Sequence, residues 1–205
     1  GPAQKGIEES LISLWNHAPS MRVHILGGAD EVLRFKGFDD RVTVDHVAVD
    51  PFKDRSRFGF LAGRIKPLMY RLSPFERTLY VDADTTFMRD PAVGFDLLDR
   101  WDFVIAEAET RSLGQTFPNN RTEADETAAW LGSHQVLYHN SGMMFWRRNP
   151  AVERLFDLWR AEWSRYGNWD EQVALLRALS RSEVVFLNVP YTWNSREVAN
   201  AFLLH

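Results

Sequence analysis

The 205-residue chain contains no cysteine. A disulfide framework, a thiolate zinc site, an iron–sulfur cluster and a cysteine nucleophile are therefore excluded. The chain also lacks a run of about 18 apolar residues, and no basic segment followed by an apolar stretch stands at its start. Neither a membrane span nor a signal peptide is predicted, and the default prediction for localisation is cytoplasmic.

A large excess of charge of either sign is also missing. Lysine and arginine total 24 against 28 aspartate and glutamate residues, which gives a formal net charge of −4. This balance argues against a general nucleic-acid binder, because such binding rests mainly on clustered basic side chains, although a local basic groove stays open. The length and the absence of repeats, low-complexity tracts and linkers predict one domain over residues 1–205.

The spacing of the apolar residues alternates between helical and extended along the chain. It predicts helices over 6–15, 60–72, 93–98, 151–163 and 170–179, and strands over 21–26, 42–49, 78–81, 101–106, 142–146 and 184–187. Helices that alternate with short strands indicate an α/β fold with a mostly parallel sheet. The polar residues 107–133 have no sustained period and predict a loop or lid.

An acidic pair, Asp82 and Asp84, follows directly after the third predicted strand. Carboxylates two residues apart in an extended chain point to the same side. Two such groups suit Mg²⁺ or Mn²⁺, which prefer carboxylate, water and phosphate oxygens, and a cation held there could neutralise a diphosphate. The alternative is that one aspartate caps a turn while the other is solvated.

The stretch from Arg64 to Phe87 closely resembles the donor-binding block of GT-A fold glycosyltransferases, especially the retaining glycogenin and lipopolysaccharide galactosyltransferase group. That block has a basic residue on a helix, a Leu-x-Pro-like turn, and an apolar strand that ends in Asp-x-Asp-Thr. The resemblance implies a Rossmann-like GT-A fold with a mixed, mostly parallel sheet flanked by helices.

The same resemblance implies roles for the residues of this block. A nucleotide-sugar donor would bind at Asp82, Ala83 and Asp84, and Arg64 and Lys66 would face the phosphates of the donor. Taken by itself, a lysine on a helix is most often a solvated surface residue.

Three later segments resemble the same family in the same order. Asn140 stands two residues before Gly142 and an apolar strand, which implies a contact with the donor sugar. Asp170 and Gln172 resemble the Asp-Gln element of the family, which implies places near the transferred sugar or the acceptor. The segment 187–194 resembles the part that borders the acceptor side. By themselves, these residues also suit a turn and a helix N-cap.

The two ends of the chain depart from the family pattern. The family opens with a short strand that holds the nucleoside base, whereas this sequence begins essentially at a helix. We therefore expect a domain truncated at one or both ends, without that first strand. A histidine near a late apolar strand commonly supplies a third metal ligand in the family, and the resemblance implies this role for His205. A terminal histidine is otherwise most often frayed and solvated.

The surroundings of the predicted site are also suggested by the sequence. Residues 107–133 are expected to close over the bound donor and exclude water. Three tryptophans fall in or near the loops around that site and are candidates for lining an acceptor cleft: Trp130, Trp169 and Trp193. Large aromatic side chains also dominate cores in general, so a core role for them stays open.

Together these features predict a metal-dependent glycosyltransferase that moves a sugar from a nucleotide-diphosphate sugar to an acceptor. Asp82 and Asp84 would hold Mn²⁺ or Mg²⁺, while Asn140, Asp170 and Gln172 would orient the sugar and the acceptor. The resemblance implies a UDP-sugar as donor and retention of anomeric configuration. The acceptor stays open among a protein, a glycolipid, a polysaccharide and a modified DNA base.

Two other functions stay open on the sequence. The strand that runs into Asp82-Ala-Asp84-Thr-Thr also fits the first motif of haloacid-dehalogenase-like phosphatases, in which the first aspartate attacks phosphate. That chemistry needs later basic and acidic groups, but no lysine follows Lys66 and the only Asp-Asp dipeptide lies upstream. A non-catalytic nucleotide-sugar-binding module or pseudoenzyme would keep the fold without turnover.

Overall fold

The fold is given by a computed structural model, which describes residues 2–47, 65–115, 121–166, 171–197 and 200–204. Helices in these ranges are α1 (Pro2–His17), α2 (Ala29–Phe35), α3 (Met69–Leu72), α4 (Ala92–Leu97), α5 (Arg121–Leu131), α6 (Pro150–Arg165) and α7 (Glu171–Arg181). Strands are β1 (Val23–Gly27), β2 (Val42–His46), β3 (Arg77–Val81), β4 (Thr86–Phe87), β5 (Phe103–Ser112), β6 (Leu137–Arg147), β7 (Phe186–Val189) and β8 (Leu203–Leu204). Short 3₁₀ turns occupy Lys66–Leu68, Leu113–Gln115 and Tyr191–Trp193.

The central sheet has four strands in the order β3-β6-β5-β7. Strand β6 runs antiparallel to both of its neighbours, whereas β7 runs parallel to β5. Strands β1 and β2 form a separate parallel pair, and β4 and β8 form a short antiparallel pair. The predicted α/β fold with a mixed sheet and flanking helices is confirmed. The sheet is less parallel than expected, because an apolar run fixes a strand but not its direction.

Hydrophobic cores cover both faces of the central sheet. On β5, Phe103 and Ile105 pack with α6 and α7, while the alternate residues Val104 and Ala106 pack with α1 and β8. All four side chains are fully buried. A strand that is buried on both faces reads as a continuous apolar run, which is the pattern that predicted this strand. None of the helices in the described part of the chain has the length and apolar composition needed to cross a membrane.

Residues 107–133 do not form the single loop that the sequence predicts. Strand β5 continues through Ser112, and α5 takes up most of the later part, so the prediction of a loop is wrong for both segments. The residues 116–120 between them lie outside the described ranges. The sequence of α5 shows no apolar stripe at helical spacing, because the buried face of this helix is partly polar. Glu123 and Thr127 on that face are each 1% exposed.

A buried ion-pair network holds α5 against α6 and α7. The Arg177 guanidinium donates to Glu123 Oε1 at 2.8 Å, to Glu162 Oε2 at 3.0 Å and to Thr127 Oγ1 at 2.8 Å. All four residues are buried. Because charges leave water only when they are paired, the arginine explains why the polar stripe of α5 faces inward.

The variant Arg177→Met is expected to lower the free energy of unfolding by about 3 to 5 kcal/mol, because it removes the cation that Glu123 and Glu162 share. Urea denaturation followed by circular dichroism measures this change. Arg71→Met is the control, because its ion pair with Asp157 is exposed and its loss should cost about 0 to 1 kcal/mol. Equal losses in the two variants would contradict a stabilising role for the buried network.

Candidate functional site

Lys66 lies at the centre of a polar cluster at the end of β3. It is 6% exposed and begins a 3₁₀ turn. Its ammonium lies 3.1 Å from Asp82 Oδ1, 3.3 Å from Asp82 Oδ2 and 3.4 Å from Glu171 Oε1, and it donates to Ser141 Oγ at 3.2 Å. The lysine that the sequence singled out is therefore enclosed by side chains from three separate parts of the chain.

Burial and the two carboxylates act on Lys66 in opposite directions. Burial lowers the pKa of the ammonium, while the charges of Glu171 and Asp82 and their hydrogen bonds raise it; the net pKa lies above the ordinary lysine value. The side chain therefore stays positively charged at neutral pH. A buried cation of this kind is kept in place by its carboxylate partners.

Asp82 is fixed from several sides. Tyr80 Oη donates to Asp82 Oδ1 at 2.6 Å, the Asp82 N–H donates to Gly142 O at 3.0 Å, and Thr85 Oγ1 donates to Asp82 O at 2.8 Å. Burial and the charge of Asp82 raise the pKa of Tyr80 well above its ordinary value. Tyr80 therefore stays protonated, and its hydroxyl holds the carboxylate in one orientation.

Ala83 and Asp84 form the exposed turn that follows Asp82. Helix α1 packs closely on this turn, because a Cβ on Gly6 would lie only 3.2 Å from Ala83 O and from Asp84 Cα. Ser13 Oγ accepts the N–H of Phe87 at 2.9 Å just beyond the turn. The glycine therefore lets the helix support the acidic turn from outside while Asp84 stays exposed.

Strand β6 is irregular where it approaches Asp82. Ile105 of β5 faces Met144, but the next residue, Ala106, faces Asn140, so extra residues of β6 lie between these two pairings. Such bulges turn side chains away from the regular alternation and are frequent beside active sites. The irregular segment contains Ser141 and Gly142, the residues that face Lys66 and Asp82.

The first turn of α7 completes the cluster. Ser141 Oγ donates to Glu171 Oε1 at 2.7 Å, and the Ser141 N–H donates to Gln172 Oε1 at 3.0 Å. Asn140 Oδ1 accepts the N–H of Gly142 at 2.9 Å. These bonds fix the bulged part of β6 against α7, with both the carboxylate and the amide of that helix turned toward the site.

A buried asparagine, Asn194, lies over Gly142. It is 2% exposed, and neither its Nδ2 nor its Oδ1 has a hydrogen-bond partner within the described ranges. A Cβ on Gly142 would lie 2.8 Å from Asn194 Nδ2, 2.8 Å from Asp82 Oδ2 and 3.1 Å from Asn140 Oδ1. Three polar side chains therefore converge where only glycine leaves room.

The structure brings together several of the residues that the sequence predicted. Lys66, Asp82, Asn140 and Gln172 meet in one cluster, with Ala83 and Asp84 at its edge. The other predicted residues, Arg64, Asp170 and His205, lie outside the described residues.

Sequence reasoning missed three residues of this cluster, Tyr80, Ser141 and Glu171. It included Asn194 only as the end of the segment 187–194, which it expected on the acceptor side. A signal existed for Glu171, since it stands directly before Gln172 and forms with it an adjacent acid–glutamine pair. Tyr80 stands two residues before Asp82 on β3, a spacing that places both side chains on the same side of an extended chain. Ser141 and Asn194 reach the site through the bulge of β6 and the packing of the last segment.

Acidic side chains outnumber basic ones among the described residues of the cluster. These are Asp82, Asp84 and Glu171 against Lys66. No group of three or more metal-ligating side chains occurs among the residues that the structure describes. Within the described ranges, the acidic turn offers the two carboxylates of Asp82 and Asp84. This fits Mg²⁺ or Mn²⁺, since such cations often take one or two protein carboxylates and complete their shell with water and phosphate.

A cavity of about 520 Å³ lies between α5, α6 and α7, away from this cluster. Its walls include Trp130 and Tyr166 together with Arg177 and Glu162 of the buried ion-pair network. Arg177 follows Glu171 by six residues, or about 9 Å along the helix. Trp130, a predicted cleft residue, therefore lines a recess above the ion pairs.

The other two predicted cleft tryptophans have different outcomes. Trp193 stacks on Phe202 with ring centroids 4.5 Å apart and packs against the core on the α1 side of the sheet. Trp169 lies outside the described residues.

The fold is similar to those of solved glycosyltransferases. Mouse xyloside xylosyltransferase 1 in its apo form shares 14% identity over 100% of this chain and 92% of its own, with a TM-score of 0.63. The galactosyltransferase LgtC, in complex with donor and acceptor sugar analogues, shares 14% identity over 100% and 82%, with a TM-score of 0.62. The glycosyltransferase GlyE of Streptococcus pneumoniae shares 13% identity over 98% and 51%, with a TM-score of 0.53. The chain therefore has the GT-A glycosyltransferase fold.

The sequence identifies the family within that class. Residues 77–188 match the family of nucleotide-diphospho-sugar transferases, and this match covers more than half of the 205 residues. The chain belongs to this family, which implies an enzyme with a nucleotide-sugar donor. No curated protein sequence matches the chain. The phosphatase alternative is set aside, because both the family and the fold are those of sugar transferases.

His139, next to Asn140, is a buried neutral histidine. It is 3% exposed, and its Nε2 lies 2.8 Å from Asn188 Oδ1. Burial lowers the pKa of this imidazole to about 4 against an ordinary value of 6.5, and the hydrogen bond to Asn188 opposes the shift. The unfolded chain therefore binds a proton at this residue at a higher pH than the folded chain does.

The stabilisation that comes from neutral His139 is expected to be complete above pH 6.5 and to be lost as the pH falls toward about 4. The shift corresponds to about 3 kcal/mol. Urea unfolding of the wild type and of His139→Asn between about pH 7 and pH 4.5 measures this contribution to the free energy of unfolding. The comparison isolates His139, because the other acidic groups titrate in both proteins. Parallel pH profiles in the two proteins would contradict a depressed pKa at His139.

Proposed function

We propose that this enzyme transfers a sugar from a UDP-sugar to an acceptor, with the help of Mn²⁺ or Mg²⁺, at the cluster around Lys66. The observation that carries the proposal is the buried ammonium of Lys66 between Asp82 and Glu171, with the exposed residue Asp84 two positions after Asp82. A fixed cation next to two hard carboxylates suits a nucleotide diphosphate and its metal ion.

Asp82 and Asp84 would hold the metal ion, with His205 as a third ligand by family resemblance. When bound, such an ion stabilises the diphosphate leaving group as a Lewis acid. Tyr80 keeps the Asp82 carboxylate in one orientation through its 2.6 Å hydrogen bond. Support for this assignment comes from the exposed side of the acidic turn, where Asp84 can be reached by a ligand.

Lys66 adds a second positive charge where negative charge accumulates as the glycosidic bond breaks. The carboxylate partners hold the side chain at the site before any donor arrives. Electrostatic stabilisation of this kind is the largest contribution to catalysis in many enzymes. The flexible lysine stem lets the ammonium exchange a carboxylate for a phosphate with little change in the backbone. Arg64 would face the same phosphates, as its place in the donor-binding block implies.

Asn140, Gln172 and Asp170 would orient the transferred sugar and the acceptor, and Glu171 joins them on the evidence of its position. The Glu171 carboxylate lies 3.4 Å from the ammonium of Lys66 and accepts a hydrogen bond from Ser141 Oγ at 2.7 Å. Carboxylate and amide oxygens suit hydrogen bonds from sugar hydroxyls. We infer retention of anomeric configuration from the resemblance to the retaining group.

A saccharide is the acceptor that we propose, either a polysaccharide or the glycan of a glycolipid. Two neighbours in fold support it: one is named a xyloside xylosyltransferase, and the structure of LgtC contains donor and acceptor sugar analogues. The mild acidity of the chain disfavours a DNA acceptor, because DNA binding rests on clustered basic side chains.

Isothermal titration of UDP and GDP with and without Mn²⁺ tests the proposal. The wild type is expected to bind UDP in a metal-dependent manner, and Asp84→Ala should weaken this binding by at least about tenfold, because one of two metal-binding carboxylates is lost. Asp99→Ala is the control, since Asp99 is exposed and pairs with Arg77 away from the cluster.

The outcomes of this titration separate the alternatives. Absence of binding to either nucleotide by the wild type would overturn the assignment of the donor site. Equal metal-dependent binding by the wild type and Asp84→Ala would overturn the role of the acidic pair. Binding without hydrolysis or transfer of any UDP-sugar would favour the non-catalytic module.

A further inference from the structure

Asn194 is buried at the site without any hydrogen bond for its side chain among the described residues. Both its Nδ2 and its Oδ1 are shielded from solvent, and the residue is 2% exposed. A buried amide that lacks partners lowers stability, because it has lost its bonds to water and gained none in return. The residue therefore needs an explanation beyond packing.

The amide of Asn194 lies near the carboxylate of Asp82, across the space left by Gly142. Asn194 Nδ2 and Asp82 Oδ2 each lie 2.8 Å from the position that a Cβ on Gly142 would occupy. Lys66 Nζ lies 3.3 Å from Asp82 Oδ2. The other oxygen, Oδ1, lies 3.1 Å from Lys66 Nζ and accepts a hydrogen bond from Tyr80 Oη at 2.6 Å. The amide donor of Asn194 therefore lies near Asp82 Oδ2, and both atoms border the space that a side chain on Gly142 would fill.

The backbone around Asn194 is firmly attached. The Asn194 N–H donates to Tyr191 O at 3.0 Å, and the next N–H, of Ser195, donates to Leu203 O at 3.0 Å. The preceding residue, Trp193, stacks on Phe202. Because the terminal torsion of an asparagine side chain is soft, the carboxamide can turn toward Asp82 while the backbone stays in place.

We propose that Asn194 is a positioning residue for Asp82, an inference that rests on the proposed function of the site. When the diphosphate of a donor draws Lys66 away, Asn194 Nδ2 donates to Asp82 Oδ2 and keeps the carboxylate in its orientation. A neutral donor suits this task, because it fixes the carboxylate without cancelling the charge that attracts a metal ion. Gly142 is the residue whose missing side chain allows the two groups to approach.

The variant Asn194→Leu tests this role, because leucine has a similar size and removes both polar atoms. The melting temperature of the metal-free protein is expected to rise by about 2 to 4 °C, since an amide without partners is replaced by an apolar group. The Kd for UDP in the presence of Mn²⁺ is expected to rise by about tenfold, since a hydrogen bond to a charged group is lost. A purely structural role would not raise the stability of the protein and at the same time weaken its binding of UDP.

Asn149→Leu is the matched control. Asn149 has the bonds that Asn194 lacks: its Nδ2 donates to Asp102 Oδ1 at 2.7 Å, and its Oδ1 accepts the N–H of Val152 at 2.9 Å as the N-cap of α6. This variant is expected to lower the melting temperature and to leave the Kd for UDP unchanged.

An Asn194→Leu protein that binds UDP with the wild-type Kd overturns the proposal, whatever its melting temperature. If this variant does not fold, Asn194→Asp serves instead, because it keeps the shape of the side chain and replaces the donor with an acceptor. UDP binding by Asn194→Asp at wild-type affinity would likewise overturn the proposal. Failure of the wild type to bind UDP would overturn the proposed function itself, so the two failures are distinguishable.

Discussion

The ion pair of Lys66 with Asp82 and Glu171 is the interaction on which the rest of the site depends. It joins residues that are 16 and 105 positions apart in the chain, and the hydrogen bond to Ser141 adds a third segment at a separation of 75. A cation with 6% exposure is retained only while its carboxylates surround it, so the 3₁₀ turn, β3, β6 and α7 must all be in place together. The polar site is therefore a product of the whole sheet and its helices.

The geometry around Gly142 shows how the central sheet shapes this site. Strand β6 runs antiparallel to β3, which places the Gly142 carbonyl opposite the Asp82 N–H at 3.0 Å, and its bulge turns Ser141 toward α7. A regular strand would have continued the alternation and sent successive side chains to opposite faces. The bulge instead directs both neighbouring residues to the cluster.

Most strands could be predicted from the sequence, because β3 and the later part of β6 are apolar runs with clear limits. Helix α5 could not, since the buried side of that helix presents Glu123 and Thr127 to an arginine that lies 50 or more positions later. The acidic pair was found because its two members are close in sequence. The role of Asn194 is a matter of burial and packing, which no local pattern encodes.

Helix α7 carries Glu171 and Arg177, which belong to two buried ion pairs with different roles. Arg177 spreads its planar group over Glu123, Glu162 and Thr127 at 2.8 to 3.0 Å, a closed arrangement that fixes three helices. Lys66, which faces Glu171 at the start of the same helix, is a point charge on a flexible stem with contacts of 3.1 to 3.4 Å. Arginine suits fixed bidentate pairing, whereas a lysine can change partners with little change in the backbone. The rigid pair therefore anchors the helix, and the looser one leaves a cation free to meet an incoming phosphate.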